Sequence, residues 1–87
     1  MIIVSQGKDE LVNFDRIESI WIDVEEGRVT IEATADTNST LGTYSTEERA
    51  KEVLQEIIKS YRKYRTAECD GPAKVLQETT VYEMPED

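Results

Sequence analysis

The chain has 87 residues, 19 acidic against 10 basic for a net charge of −9, no histidine and a single cysteine, Cys69. That length fits one domain with one core. The missing histidine removes the usual base of a nucleophilic triad, and a lone cysteine excludes an intrachain disulfide and any zinc site of Cys/Cys or Cys/His type.

From the N-terminus, Ile2–Ser5 and Leu11–Phe14 read as a first hairpin across Gln6-Gly7-Lys8-Asp9. The apolar run at Ile2-Ile3-Val4 is too short for a secretory signal, and no stretch approaches the roughly 18 apolar residues of a membrane span. The expected location is therefore cytoplasmic, where a free thiol is at home. Ile20, Ile22 and Val24 alternate with polar residues, as do Val29, Ile31, Ala33 and Ala35, so each series predicts a half-buried strand. Glu25-Glu26-Gly27 joins them in a turn with one residue at positive φ. Asp36-Thr37-Asn38 is the next turn and leads to a strand near Thr40–Tyr44.

A helix over about 46–65 follows, because Ala50, Val53, Leu54, Ile57, Ile58, Tyr61 and Tyr64 keep the spacing of one apolar stripe. Ser45 and Thr46 both suit the N-cap, Ser45 and Glu48 have capping-box spacing, and Glu47 with Lys51 makes an i, i+4 pair. Glu47 and Glu48 stand at the positive end of the helix dipole, and Lys59, Arg62, Lys63 and Arg65 at its negative end. Residues 66–78, with Asp70-Gly71-Pro72, read as a loop. Residues 79–84 read as a further strand ended by Pro85. The fold class expected is α+β: one domain over 1–87, an antiparallel meander of about five short strands, and one amphipathic helix on its apolar face.

Met-Ile-Ile-Val-Ser-Gln at 1–6, Val-Asn-Phe-Asp at 12–15, Leu-Gly-Thr-Tyr-Ser-Thr-Glu-Glu-Arg-Ala-Lys-Glu-Val-Leu at 41–54 and Tyr-Glu-Met-Pro-Glu at 82–86 together resemble a group of short uncharacterised proteins of Gram-positive bacteria and their prophages. The resemblance leaves out 66–80 and implies no activity. Phe14, Ile17, Ile20 and Gly27 also resemble positions of the bacterial pleckstrin-homology-like barrels, a strand series ending in one helix, although the strands here are fewer than that fold uses.

Several residue groups invite a chemical reading. Asp36, Asn38, Thr40 and Glu47 fall at calcium-loop spacing, but Leu41 stands where the loop needs glycine and a strand precedes it, so a hairpin is expected. Cys69 lies between Glu68 and Asp70, whose charges disfavour its thiolate. Lys59-Ser60-Tyr61-Arg62-Lys63-Tyr64-Arg65 mixes basic and aromatic residues as a nucleic-acid reader does, yet the net charge opposes a polyanion, and the stretch reads more simply as dipole complementation. No catalytic residue, metal ligand or cofactor site is expected.

Trp21 points opposite to Ile20 and Ile22, on the parity of Ile17, and tryptophan is a favoured interface anchor. Ile17, Trp21, Val81, Tyr82 and Met84 are thus the candidate interface residues. The expected function is a non-enzymatic protein-interaction module, an accessory or inhibitor of prophage or mobile-element kind acting through an acidic surface. Its partner is another protein or a second copy of the chain, with Thr79–Met84 helping to hold a homodimer. The rival expectation is a small-molecule binder with a pocket between helix and sheet or at a dimer seam.

Overall fold

The computed structural model describes residues 1–70 and 81–87, the side chains of 64–70 excepted. The chain order is β1 (Ile2–Val4), β2 (Leu11–Asn13), a 3-10 turn (Phe14–Arg16), β3 (Ser19–Glu25), β4 (Arg28–Thr34), β5 (Asn38–Tyr44), α1 (Glu47–Asp70) and β6 (Val81–Glu83). The fold is α+β. The strands form two three-stranded sheets, ordered β2-β1-β6 and β3-β4-β5. The meander proper is β3-β4-β5, antiparallel throughout. The 3-10 turn separates it from the β1-β2 hairpin, and β6 joins β1 in parallel.

The alternation of β3 and β4 explains how the layers form. Period-two spacing sends Val29, Ile31 and Ala33 to one face of the central strand, where all three are buried. Against that face lies the stripe of α1, with Ala50, Val53 and Ile57 fully buried and Leu54, Ile58 and Tyr61 half-buried. The first sheet adds Met1 and Ile3, and Met84 follows β6 into the same cluster. Both sheets and the helix therefore share one core.

The ends of α1 follow local chemistry. Thr46, not Ser45, is the N-cap: its hydroxyl accepts from the Arg49 N–H at 3.1 Å. Lys51 pairs with Glu47 at 3.4 Å, as the spacing implies. The helix persists through Thr66–Asp70, five residues that the sequence reading put in a loop. Thr66-Ala67-Glu68-Cys69 contains no breaker, and the first one in the sequence is the Gly71-Pro72 pair. The remainder of that expected loop lies outside the described residues.

The β3-β4 turn is tighter than expected. Only Glu26 and Gly27 separate the strands, and both have positive φ, 52° and 79°. Such a pair of left-handed residues is the type I′ turn, whose twist matches that of the flanking strands.

Gln6 joins the two sheets. Its N–H donates to the Leu41 carbonyl at 2.8 Å. Its side-chain amide then acts as a short strand: Oε1 accepts from the Thr43 N–H at 2.8 Å and Nε2 donates to the Thr43 carbonyl at 2.9 Å. Nε2 also reaches the Glu86 carbonyl at 2.7 Å, so the residues after β6 are tied to the outer edge of β5.

The buried stripe makes a direct prediction. Ile57→Ala removes a fully buried side chain and should cost about 2–5 kcal/mol in denaturant unfolding. A loss below about half a kcal/mol, the scale of a surface substitution, would place the stripe in solvent and contradict this layering.

Candidate functional site

Among the described residues one helix packs on one face of β3-β4-β5, and the other face is open. Period-two alternation brings to it Trp21, Asp23 and Glu25 from β3, Arg28, Thr30 and Glu32 from β4, and Asn38 and Thr40 from β5. Together they line a shallow groove of about 390 Å³. The register sets Glu32 between Trp21 and Thr40, Asp23 beside Thr30, and Glu25 beside Arg28. The Thr40 hydroxyl lies 2.9 and 3.0 Å from the two carboxylate oxygens of Glu32, which fixes that carboxylate on the sheet. Thr34 donates its hydroxyl to Asn38 at one end of the face.

Three carboxylates against one guanidinium make the groove acidic. Trp21 is 36% exposed within it, a large apolar surface set among charges. Among the described residues no three His, Cys, Asp or Glu side chains converge closely enough to hold a metal ion. The groove therefore offers anionic hydrogen-bond acceptors and one aromatic face.

The other residues singled out in the sequence are dispersed. Ile17 follows the 3-10 turn, outside β3, and packs against the core. Ile17 and the bend at Glu18 precede β3, so strand parity does not link Ile17 to Trp21: Ile17 packs on the core, whereas Trp21 lines the groove. Tyr82 packs inward, and its hydroxyl donates to Glu56 at 2.9 Å. Met84 is buried in the core, while Val81 is 54% exposed. Residues 81–83 pair with β1 of their own chain. Tyr61 of the basic and aromatic stretch packs on Phe14, ring centroids 4.6 Å apart, and donates its hydroxyl to Asp15 at 2.7 Å. The Asp36-Thr37 segment lies between β4 and β5 as a hairpin turn.

Val81 belongs to a second surface. Ile3 points inward, so Ile2 and Val4 point outward with their neighbours Leu11 and Val81. This aliphatic patch on the outer face of the first sheet, with Leu11 70% exposed, was readable from the alternation at Ile2-Ile3-Val4 once the strand was placed. The groove residues Asp23, Glu25, Glu32 and Thr40 were likewise readable as the polar parity of their strands. Nothing in the sequence marked them as converging.

No protein-family model, curated protein or solved structure matches the chain. Among the described residues no helix is long and apolar enough to cross a membrane.

The tail contacts carry the largest electrostatic perturbations. Tyr44 folds back over Gly42, where an added Cβ would lie 2.8 Å from its hydroxyl oxygen, and donates to the Pro85 carbonyl at 2.9 Å. Burial is the main cause that pushes the Tyr44 phenol up to about 12, with Arg49 opposing. Tyr82 is raised further, first by burial and then by its hydrogen bond to Glu56. A phenol whose folded pKa exceeds its unfolded one stabilises the fold fully below the unfolded value, and that contribution is lost as pH rises toward the folded one. Stability should therefore hold up to about pH 10 and fall between about 10 and 12, and Tyr44→Phe should flatten part of the fall. All four tyrosines forming phenolate near pH 10 with the fold intact would contradict the burial of this pair.

Proposed function

We propose that this protein is a non-catalytic interaction module that binds a basic protein surface through the open face of β3-β4-β5. The observation that carries this reading is Trp21, exposed in a groove whose charged residues are Asp23, Glu25 and Glu32 against Arg28. Tryptophan supplies the desolvating contact of an interface hot spot, and it also accepts a cation on its ring face. The surrounding carboxylates select for positive charge and accelerate encounter with it. The net charge of −9 extends the same preference over long range. By occupying a basic surface of another protein, the module would act as an accessory or inhibitor. The same charge makes nucleic acid a poor partner.

The aliphatic patch of Ile2, Val4, Leu11 and Val81 does not compete as the primary site, because it carries no charge by which to choose a partner. The small-molecule alternative places its pocket at a dimer seam or between helix and sheet. Ile31, Val53 and Ile57 are fully buried there, and the groove lies on the opposite face. Its open, carboxylate-rich lining differs from the enclosed apolar pockets that hold small ligands.

Trp21 is the only tryptophan, so its fluorescence reports on the groove directly. A peptide alternating Lys or Arg with Val should shift Trp21 emission saturably and bind more weakly as salt rises. The double variant Asp23→Lys, Glu25→Lys should bind at least about tenfold more weakly, or about 1.4 kcal/mol. Equal affinity of wild type and double variant at low salt, or unchanged Trp21 emission, would overturn the proposal.

A further inference from the structure

The two edges of the β3-β4-β5 sheet are treated differently. At β5 the Gln6 backbone and side chain occupy Leu41 and Thr43. At β3 the sheet stops: among the described residues the strand Ser19–Glu25 pairs with β4 alone. The two-residue turn makes Glu25 and Arg28 the closing hydrogen-bonded pair of the hairpin, so alternate residues Ser19, Trp21, Asp23 and Glu25 bond to β4. In that register the N–H and C=O groups of Ile20, Ile22 and Val24 point outward. Proteins blunt such an edge with charged side chains, a proline or a bulge; here the bulge is in the β4-β5 pairing, away from the edge, and the charges are Asp23 and Glu25, which repel an acidic strand and admit a basic one. Val24, on the core-facing parity, is nevertheless 52% exposed beside it.

We infer that the partner docks as an extended basic strand, antiparallel to β3, alternating Lys or Arg with aliphatic residues. The inference rests on the reading of the groove as a binding face and adds the manner of binding. An added strand shares the sheet's two faces. Its residues on the groove side fall beside Trp21, Asp23 and Glu25, where only cations complement the charge and an arginine can also stack on the indole. Its residues on the other side fall beside Ile20, Ile22 and Val24, where aliphatic side chains cover what the helix leaves exposed. Pairing then follows the antiparallel pattern. The aliphatic residues exchange hydrogen bonds with Ile20, Ile22 and Val24, and the basic residues form the closer, non-bonded pairs with Trp21 and Asp23. A second copy of this chain is a poor occupant, since it would bring its own Asp23 and Glu25 to an edge that is already acidic.

The test uses the full chain and one alternating Lys/Val peptide in three forms: unmodified, N-methylated at its valines, and N-methylated at its lysines. Methylation at valine removes the N–H groups aimed at β3 and should weaken binding at least about tenfold. Methylation at lysine removes N–H groups that point away and should change affinity by no more than about twofold, within the spread of a single weak contact. Equal responses to the two methylated peptides would overturn strand addition. If Asp23→Lys, Glu25→Lys still abolished binding in that case, the groove would remain the binding face and only the docking mode would fail. Sedimentation of the protein alone gives a second arm. A dimer that Val24→Pro converts to a folded monomer would show the edge occupied by another copy, and would overturn the basic-strand assignment. Proline is tolerated there because the N–H it removes faces outward on an edge strand.

Discussion

The contact between the stripe of α1 and the inner face of β4 sets the positions of everything else. Ala50, Val53 and Ile57 meet the side of the sheet that carries Ile31 and Ala33, and all five are buried. A sheet has two faces and the described residues hold one long helix, so covering one face leaves the other open among them. Period-two alternation then requires the remaining residues of the same strands to stand on the open side. Trp21, Asp23, Glu25 and Glu32 converge there as a geometric consequence of where Ile20, Ile22 and Ile31 had to go.

A domain of this size without an intrachain disulfide must close itself by other means. Here the closure comes from side chains that satisfy backbone groups. The Gln6 amide completes the edge of β5 and holds the carbonyls that follow β6, the Tyr44 hydroxyl holds Pro85, and Arg49 Nε donates to the Asp87 carbonyl at 2.9 Å. These contacts span 37 to 80 residues in sequence, so they tie the ends of the chain to the central sheet. They also create the asymmetry on which the binding account turns. The edge at β5 is occupied by the chain's own groups, whereas at the edge of β3, next to the tryptophan, no further strand pairs among the described residues.

Local rules made much of this legible in the sequence. The alternations at Ile20–Val24 and Val29–Ala33 located β3 and β4, and the apolar stripe with its Ser45-Thr46 cap located the start of α1 within a residue. What escaped was non-local or cumulative. The parallel pairing of β6 with β1 depends on a contact across most of the chain, which no local pattern encodes. The division into two sheets depends on the 3-10 turn at Phe14–Arg16, short enough to look like the end of a strand. The parity by which Ile17 was grouped with Trp21 failed because Ile17 and the bend at Glu18 lie outside β3. Gln6 carried no signal, because an amide that completes a sheet edge looks like any polar turn residue. For the groove, Trp21 was identified from parity alone, while its carboxylate neighbours came into view only with the register.

The central claim is that binding occurs on the open face of β3-β4-β5 and at its β3 edge. Amide-resolved NMR of the protein titrated with a basic strand-forming peptide tests it most directly, since every strand is read independently. The account predicts shifts concentrated in Ser19–Glu25, extending to Arg28, Thr30 and Glu32 and to the Trp21 indole N–H, with β1 and the first turns of α1 unmoved. Shifts confined to the outer face of the first sheet, around Ile2, Leu11 and Val81, with Trp21 unmoved, would contradict it.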